Sequence, residues 1–484
     1  MAALLNPELA PRAETLIRVA YAALLLAWIG LLLPQVRRFF LSERWGGYAA
    51  ATPAIDAVQN PVMMPLVMAA WIGSAVSILA GFHLVIAALV NLVICRYYFV
   101  AMRWASIGRG LGAPGFMTYW LAAALFLLAF TAHHAPGLRP LALLVLQIDF
   151  AAIMLSAGLY KFASGYSRNH GMELGMANPE WGYWWRRYLA MRPSHPLFRV
   201  LNHFAWTTEI AAAVLMLIPA TRMLGGLIIM SSFAFVATQI RLAFLCEMLI
   251  VCGLLFVPPG SGVDTVLAGI VPAAAAPVAA AEYPIAATIL RAALVVYLAL
   301  LPLAYAGLFR NFYAKTRLPG VFQRALERYT NTFGLIIWRV FSADLTDFWI
   351  EIYEDNSGGA PRLVSRWGSP LHPRYNLVAE SITVTSIFTT LRYYPGNPDI
   401  FRSRLLRYSR TVRREHGGKL TFRYLSIGRT DARFVVTPVA EYVVDVAASS
   451  IEERALKPGF SVRAPHTASP IHEGVRPGSY LPVG

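Results

Sequence analysis

The chain has 484 residues, 57% hydrophobic and only 14% Asp, Glu, Lys or Arg, with 42 basic against 26 acidic side chains and a formal net charge of +16. A soluble domain carries about 25% charged residues, so the composition excludes an ordinary soluble protein and points to a polytopic membrane protein. The basic excess suits loops lying against an anionic leaflet; no recognition motif for nucleic acid accompanies it, and that class of partner is set aside.

The first apolar run, near Ile17 to Leu33, lacks the small-residue cleavage site of a signal peptide and reads as a span. A span needs roughly 20 residues. Taken in order, the apolar runs predict nine spans, near 16–34, 62–80, 84–101, 116–132, 140–160, 204–220, 223–239, 242–257 and 284–307. Two stretches are ambiguous. Residues 62–101 form one run broken only by Gly81, Phe82 and His83. Residues 223–257 are too long for one span and leave almost no loop for two; Thr238-Gln239-Ile240-Arg241 interrupts them, as a tight turn or a broken helix would. The Ala- and Pro-rich stretch 261–282 reads as a loop or a re-entrant segment. Cys95, Cys246 and Cys252 lie in apolar runs without a CxxC spacing, so neither a disulfide framework nor a zinc site is indicated.

Loop charge gives an orientation. Lys161, Arg168, Arg186, Arg187, Arg192 and Arg199 fill one connection, and Arg37, Arg38, Arg44, Arg103 and Arg109 follow the first and third spans. The positive-inside rule places these loops and the C-terminal domain in the cytoplasm. Within the long connection, Trp181-Gly182-Tyr183-Trp184-Trp185-Arg186-Arg187-Tyr188 reads as an interfacial anchor, or more sharply as a lid or docking face.

Beyond the last span, Arg310 to Arg328 reads as an amphipathic helix on the membrane surface, with Leu318, Val321, Phe322 and Leu326 at helical spacing. Then the period shortens. Residues 338–342, 348–353, 420–427, 433–437 and 441–446 read as strands, 355–359 as a turn and Arg402–Arg414 as a basic helix. The fold class is thus a polytopic α-helical membrane bundle of about nine spans followed by a small C-terminal α+β extramembrane domain. The divisions are a bundle over 1–308, an interfacial linker helix over 309–335, the α+β domain over 336–450 and a Pro/Gly-rich tail over 451–484.

The fifth apolar run ends in Ala157-Gly158-Leu159-Tyr160-Lys161. An ionisable group within a span is costly and as a rule meets a polar cavity or a partner; a lysine near a span end can also snorkel to the interface, and both readings stand for Lys161. Asp149, mid-span, cannot snorkel and reads as a buried polar group. Glu209 is structural glue toward Arg241 or part of a site, and Glu247 pairs with Arg241 at the helix break. His83 reads as a packed residue. His133, His134 and His170 lack metal spacing with a carboxylate, and no metal site is expected.

These residues carry a family resemblance. Gln147-Ile148-Asp149-Phe150 followed by the stretch ending in Lys161, then Thr207-Thr208-Glu209 with Pro219-Ala220-Thr221-Arg222 about fifty residues on, then Trp338-Arg339-Val340-Phe341-Ser342 and Ser403–Ser409, resemble vitamin K-dependent gamma-carboxylase-like membrane proteins, the HTTM group. The resemblance implies a bundle binding a quinone or lipid, with Lys161 as base and Glu209 and Asp149 as proton partners. Gln147, Arg241, Trp184 and Trp185 are the candidate contacts to such a cofactor. It also implies an extramembrane domain on the non-cytoplasmic side, against the charge rule. The chain departs from the family where an intramembrane histidine is replaced by Ser232–Val236, and where an acid-bearing loop is replaced by Gly108–Gly115. Those departures favour an accessory or structural subunit of a larger membrane complex, in a bacterial inner membrane, contacting lipids and other subunits through the 178–200 loop, the C-terminal domain and the tail. The alternative is a carboxylase-like enzyme.

Overall fold

The computed structural model describes residues 6–33, 36, 40–41, 58–101, 112–272, 283–314, 316–338, 346–355, 361–363, 376–393, 397–412 and 418–456. The basic loops at Arg37, Arg38, Arg44, Arg103 and Arg109, the motif residues Arg339 to Ser342, the turn at 356–359 and the tail from 457 onward lie outside the described residues.

Among the described residues, seven helices are long and apolar enough to cross a membrane. They are α1 (Pro11–Leu32), α2 (Met63–Ala80), α4 (Gly112–His134), α5 (Arg139–Ser164), α8 (Pro196–Leu217), α9 (Arg222–Gln239) and α12 (Pro284–Tyr313). The other two expected spans are shorter. α3 (Leu84–Arg96) widens into a π turn, Tyr97–Ala101, and α10 (Leu245–Gly253) ends in a 3₁₀ turn. Among the described residues the full-length candidates number seven, so the nine spans that the apolar runs predict are not all reached at full length. α4 and α5 form the centre, with 72% and 78% of their apolar windows buried against 28–33% for the other five long helices.

Both ambiguous stretches resolve into helix pairs, each with its backbone satisfied. Between α2 and α3, Gly81 takes φ 73° and His83 φ 42°. The Arg18 guanidinium donates to the carbonyls of Ile78 and Leu79 at 2.7 and 2.9 Å, covering acceptors that the end of α2 leaves open. Between α9 and α10, the helix breaks at Ile240–Phe244, and the segment 178–184 inserts against the break. The Tyr183 amide donates to Gln239 O at 3.0 Å and the Arg241 amide to Trp181 O at 2.8 Å. This is how irregular backbone survives among apolar helices: protein supplies the partners that lipid cannot. Gly182 makes the insertion possible, since a Cβ there would stand 2.0 Å from Met176 O.

The connection after α5 holds two short helices, α6 (Met172–Ala177) and α7 (Trp185–Leu189), and α11 (Gly262–Ala268) follows α10. Helix α13 (Gly320–Phe333) packs one face on α12 and leaves Val321 and Phe322 exposed. Leu326 packs on Gly307, the Tyr329 hydroxyl donates to Tyr297 O at 2.7 Å and Phe333 meets the Tyr297 ring. It folds back along α12, which itself runs to Tyr313, past the expected bundle boundary.

The C-terminal domain is an antiparallel sheet, ordered β2-β1-β3-β4-β5, with β1 Phe348–Glu354, β2 Arg362–Leu363, β3 Lys419–Arg429, β4 Phe434–Asp445 and β5 Ser450–Ala455. The two strands expected at 433–437 and 441–446 are one, β4. Helices α14 (Asn376–Tyr393) and α15 (Pro398–Val412) cover one sheet face, packing Val384, Ile387, Phe388, Phe401 and Leu405 on Phe348, Ile350, Phe422 and Tyr424. Side chains alternate along a strand, so Trp349, Leu425 and Ile427 point the other way, into the core of the bundle. There Phe434 meets Phe198 of α8 edge-on at 6.0 Å.

Candidate functional site

Two of the charged groups that stand out in the apolar runs meet. Lys161, in the last turn of α5, and Glu209, in the middle of α8, form an ion pair in which Lys161 Nζ donates to Glu209 Oε1. The side chains are 8% and 3% exposed, so Lys161 turns inward and does not snorkel. Glu209 Oε2 is buried without a hydrogen bond. A glycine sets up the meeting. A Cβ on Gly158 would lie 2.6 Å from Ile210 Cγ1 and 3.0 Å from both Ile210 N and Trp206 O, so α5 and α8 touch backbone to backbone one turn before Lys161.

A cavity of about 30 Å³ adjoins the pair, lined by Met172, Leu201, Phe204, Ser232, Phe233 and Leu242 among others. That volume holds about one water, not a cofactor. On the far side of Phe204 and Ser232, which line both spaces, lies an open groove of about 520 Å³ between α8 and α9. Its walls are Thr207, Thr208 and Ala211 on one helix, and Leu224, Leu227, Ile228 and Ser231 on the other.

On the side of the C-terminal domain the pair is capped by residues 165–177. Met172 reaches the cavity, and its amide donates to Asn202 Oδ1 at 2.8 Å. The neighbouring Glu173 is fully buried and accepts from the Gly171 amide at 3.0 Å, Asn202 Nδ2 at 2.8 Å and Arg429 Nη1 of β3 at 2.7 Å. Arg429 also donates to Asn169 O at 2.7 Å. Burial raises the Glu173 carboxyl above its ordinary range, with these donors opposing the shift. Burial, then the charge of Arg429, lowers His170 to about 4, so its ring is neutral in ordinary conditions. Tyr166, fully buried, lies within electrostatic reach of both Glu173 and Glu209.

A second set of contacts docks the domain. Asn178 Nδ2 donates to Thr346 O and Phe348 O, both at 2.8 Å. Thr385 Oγ1 of α14 donates to Glu180 Oε1 at 3.1 Å, and burial pushes the Glu180 carboxyl up to about 8.

The other sequence candidates sit elsewhere. Asp149 accepts from Trp120 Nε1 at 2.8 Å and lies within electrostatic reach of Tyr297, Tyr305 and Tyr329. Twelve residues along α5, about 18 Å, separate it from Lys161, and it forms its own cluster. Gln147 Nε2 donates to Leu255 O at 2.8 Å, tying α5 to the end of α10. Arg241 donates to Pro179 O at 2.8 Å and stacks over Tyr183; it pairs with neither Glu209 nor Glu247, against the expectation of an ion pair at the break. Trp184 donates to Thr238 O at 3.1 Å under Arg187, and Trp185 stacks with Arg186. None of Gln147, Arg241, Trp184 and Trp185 lines the cavity at the pair.

Among the described residues, no group of three or more His, Cys, Asp or Glu is placed to hold a metal ion. Glu173, Asn202 and Arg429 lie around the pair and are not singled out by the sequence, and Ser232, which stands out there only as part of a stretch that lacks a histidine, lines the cavity. Comparison with protein-family models, with curated proteins and with solved structures finds no match.

Proposed function

We propose that this is an HTTM-like integral membrane protein whose bundle carries a proton-transfer site open to the lipid phase, with Lys161 as base and Glu209 as its counter-charge. One observation carries the reading: a buried ion pair with an unbonded carboxylate oxygen stands one side chain away from an open groove on the outer face of two span-length apolar helices. A pair of this kind is a poor way to hold helices together. Its desolvation cost competes with its Coulombic gain, and apolar residues of similar volume do the structural job as well. Passing the proton from Nζ to the carboxylate leaves a neutral amine, the form that abstracts a proton from a bound substrate. The substrate is then lipid-soluble and arrives from within the membrane, which for a chain of this kind we place as a bacterial inner membrane.

A second reading, an accessory subunit that keeps the bundle without the chemistry, is favoured by the water-sized cavity at the pair and by Ser232–Val236 standing where the resembled family carries a histidine. The two part in one experiment. Lys161→Met/Glu209→Leu, which removes both charges, is expressed in the native host in place of the parent. The enzyme reading expects an unchanged amount of protein and an altered membrane lipid profile, with one lipid-soluble compound accumulating. An unchanged profile, with a co-purifying complex lost only when residues 457–484 are deleted, overturns it in favour of the accessory subunit.

A further inference from the structure

Helix α13 and the residues up to Trp338 run along the bundle and back. α12 carries no charged residue between Arg291 and Arg310, which stand about 19 residues and 28 Å apart, close to the roughly 30 Å of a hydrocarbon core. Beside Arg310, Asn311 Nδ2 donates to Gln323 Oε1 at 3.0 Å. Further along, the Tyr329 and Tyr297 rings stack at 5.9 Å and Phe333 meets Tyr297 edge-on at 4.8 Å. Tyr297 lies about 13 residues, or 20 Å, inward of Arg310. α13 therefore descends along α12 to the depth that hydrocarbon occupies. At Gly334, with φ 75°, the chain reverses, and Trp338 meets Phe116 near the start of α4 at 5.5 Å.

The face that α13 turns outward is polar. Arg324, Arg328 and Asn331 are exposed on it, with Ala325 and Thr332 alongside, at spacings that share one side of a helix. Arg96, exposed at the end of α3, donates to Thr332 O at 3.3 Å and so caps the carbonyl end of α13. None of the ion pairs among the described residues includes Arg96, Arg324 or Arg328. Glu327, the one acid on the helix, is half-buried and accepts from Gln323 Nε2 at 2.8 Å. Lipid tails offer such groups nothing, and an arginine facing hydrocarbon is costly. A second copy would set like charge on like charge, because a twofold interface repeats one patch on both sides. A lipid phosphate keeps to the headgroup level, above the depth at which Arg96 meets Thr332. A carboxylate brought in on a helix satisfies the arginines where they stand.

We propose that the outer face of α13, together with Arg96 of α3, is an intramembrane docking surface for a transmembrane helix that carries a carboxylate. The surface shares no residue with the cavity or the groove beside Lys161 and Glu209 and is independent of how that pair is read.

The test uses the full-length protein in phosphatidylcholine nanodiscs, with photoreactive benzoylphenylalanine in place of Ala325 on this face or, as a control, of Leu303 on the exposed side of α12. The probes are single-span Leu/Ala peptides of about 20 residues that differ only in a central Glu, Gln or Leu. The Glu peptide is expected to crosslink at position 325 about tenfold or more above the other two, the scale of a hydrogen bond to a charged group, and all three alike at position 303. Arg96→Gln/Arg328→Gln, checked for monodispersity, should abolish the preference for Glu, and Arg96→Lys/Arg328→Lys should keep it. Equal crosslinking by the three peptides at position 325, or a preference that survives the double Gln variant, overturns the proposal. Two copies of the chain crosslinked through position 325 without peptide would make a second copy the occupant. Loss of the preference in phosphatidylglycerol nanodiscs would give the arginines to lipid headgroups. Either result also overturns it.

Discussion

Gly158 decides whether the ion pair can form. Its missing side chain lets α8 approach to within contact of backbone atoms, which cannot swing aside as a flexible side chain could. Gly158→Ala should therefore push the two helices apart and cost about 1–3 kcal/mol, as overpacking does, read as a lowered melting temperature in detergent. Removing one member of the pair is a different insult. Lys161→Met strands a buried carboxylate and should cost about 3–5 kcal/mol, while Lys161→Met/Glu209→Leu should melt within about 1 kcal/mol of the parent or above it. A double variant as unstable as the single one would show that the pair holds the bundle together. Lys161 and Glu209 are legible in the sequence because a charge in an apolar run stands out against its neighbours. Glu173 and Arg429 are not, because each looks like an ordinary loop or strand residue until folding brings them together across 256 positions. Gln147, Arg241, Trp184 and Trp185 illustrate the reverse: polar and aromatic groups near a membrane attract functional readings, yet here they satisfy backbone carbonyls or stack on neighbouring arginines.

At the scale of elements, α14 shows where sequence patterning misleads. Its Ser381-Ile382-Thr383-Val384-Thr385 run is β-branched and would suit a strand, and the sequence reading assigns nothing to it. Tertiary packing overrides that preference: Val384, Ile387, Phe388 and Leu391 meet the sheet, while Thr385 turns to Glu180 of the membrane domain. That contact makes docking depend on pH. The Glu180 carboxyl titrates near 8 in the folded protein against an ordinary 4.5, so the docked state favours the neutral acid. Its contribution is complete below about 4.5 and is lost as pH rises through 8. Proteolysis at the junction between the domains should thus accelerate between pH 6 and pH 9, and Glu180→Gln should flatten the profile; a profile unchanged by that substitution would assign the effect to another group. The cap makes a second prediction at this scale. Arg429→Ala should raise amide hydrogen exchange in 165–177 by about tenfold or more, because it deprives the buried Glu173 carboxylate of its cation, while exchange in α4 stays as it was.

Across the whole molecule, a membrane bundle followed by a small α+β domain is plain from composition and from the change of period, since both follow from long apolar runs giving way to alternation. The relation between the two parts is not, because the sheet face carrying Trp349, Leu425 and Ile427 is as apolar as any soluble core and does not announce that it packs on a bundle. The result is a buried pair capped on one side by residues that pack on the C-terminal domain and separated on the other by Phe204 and Ser232 from an open groove between α8 and α9. The most direct test is a cryo-EM map of the full chain in lipid nanodiscs. The account predicts the Lys161 amine turned inward on Glu209 with elongated density in the groove between α8 and α9. A lysine extended toward the headgroups, with α8 and α9 packed solidly behind it and the groove closed, would contradict it.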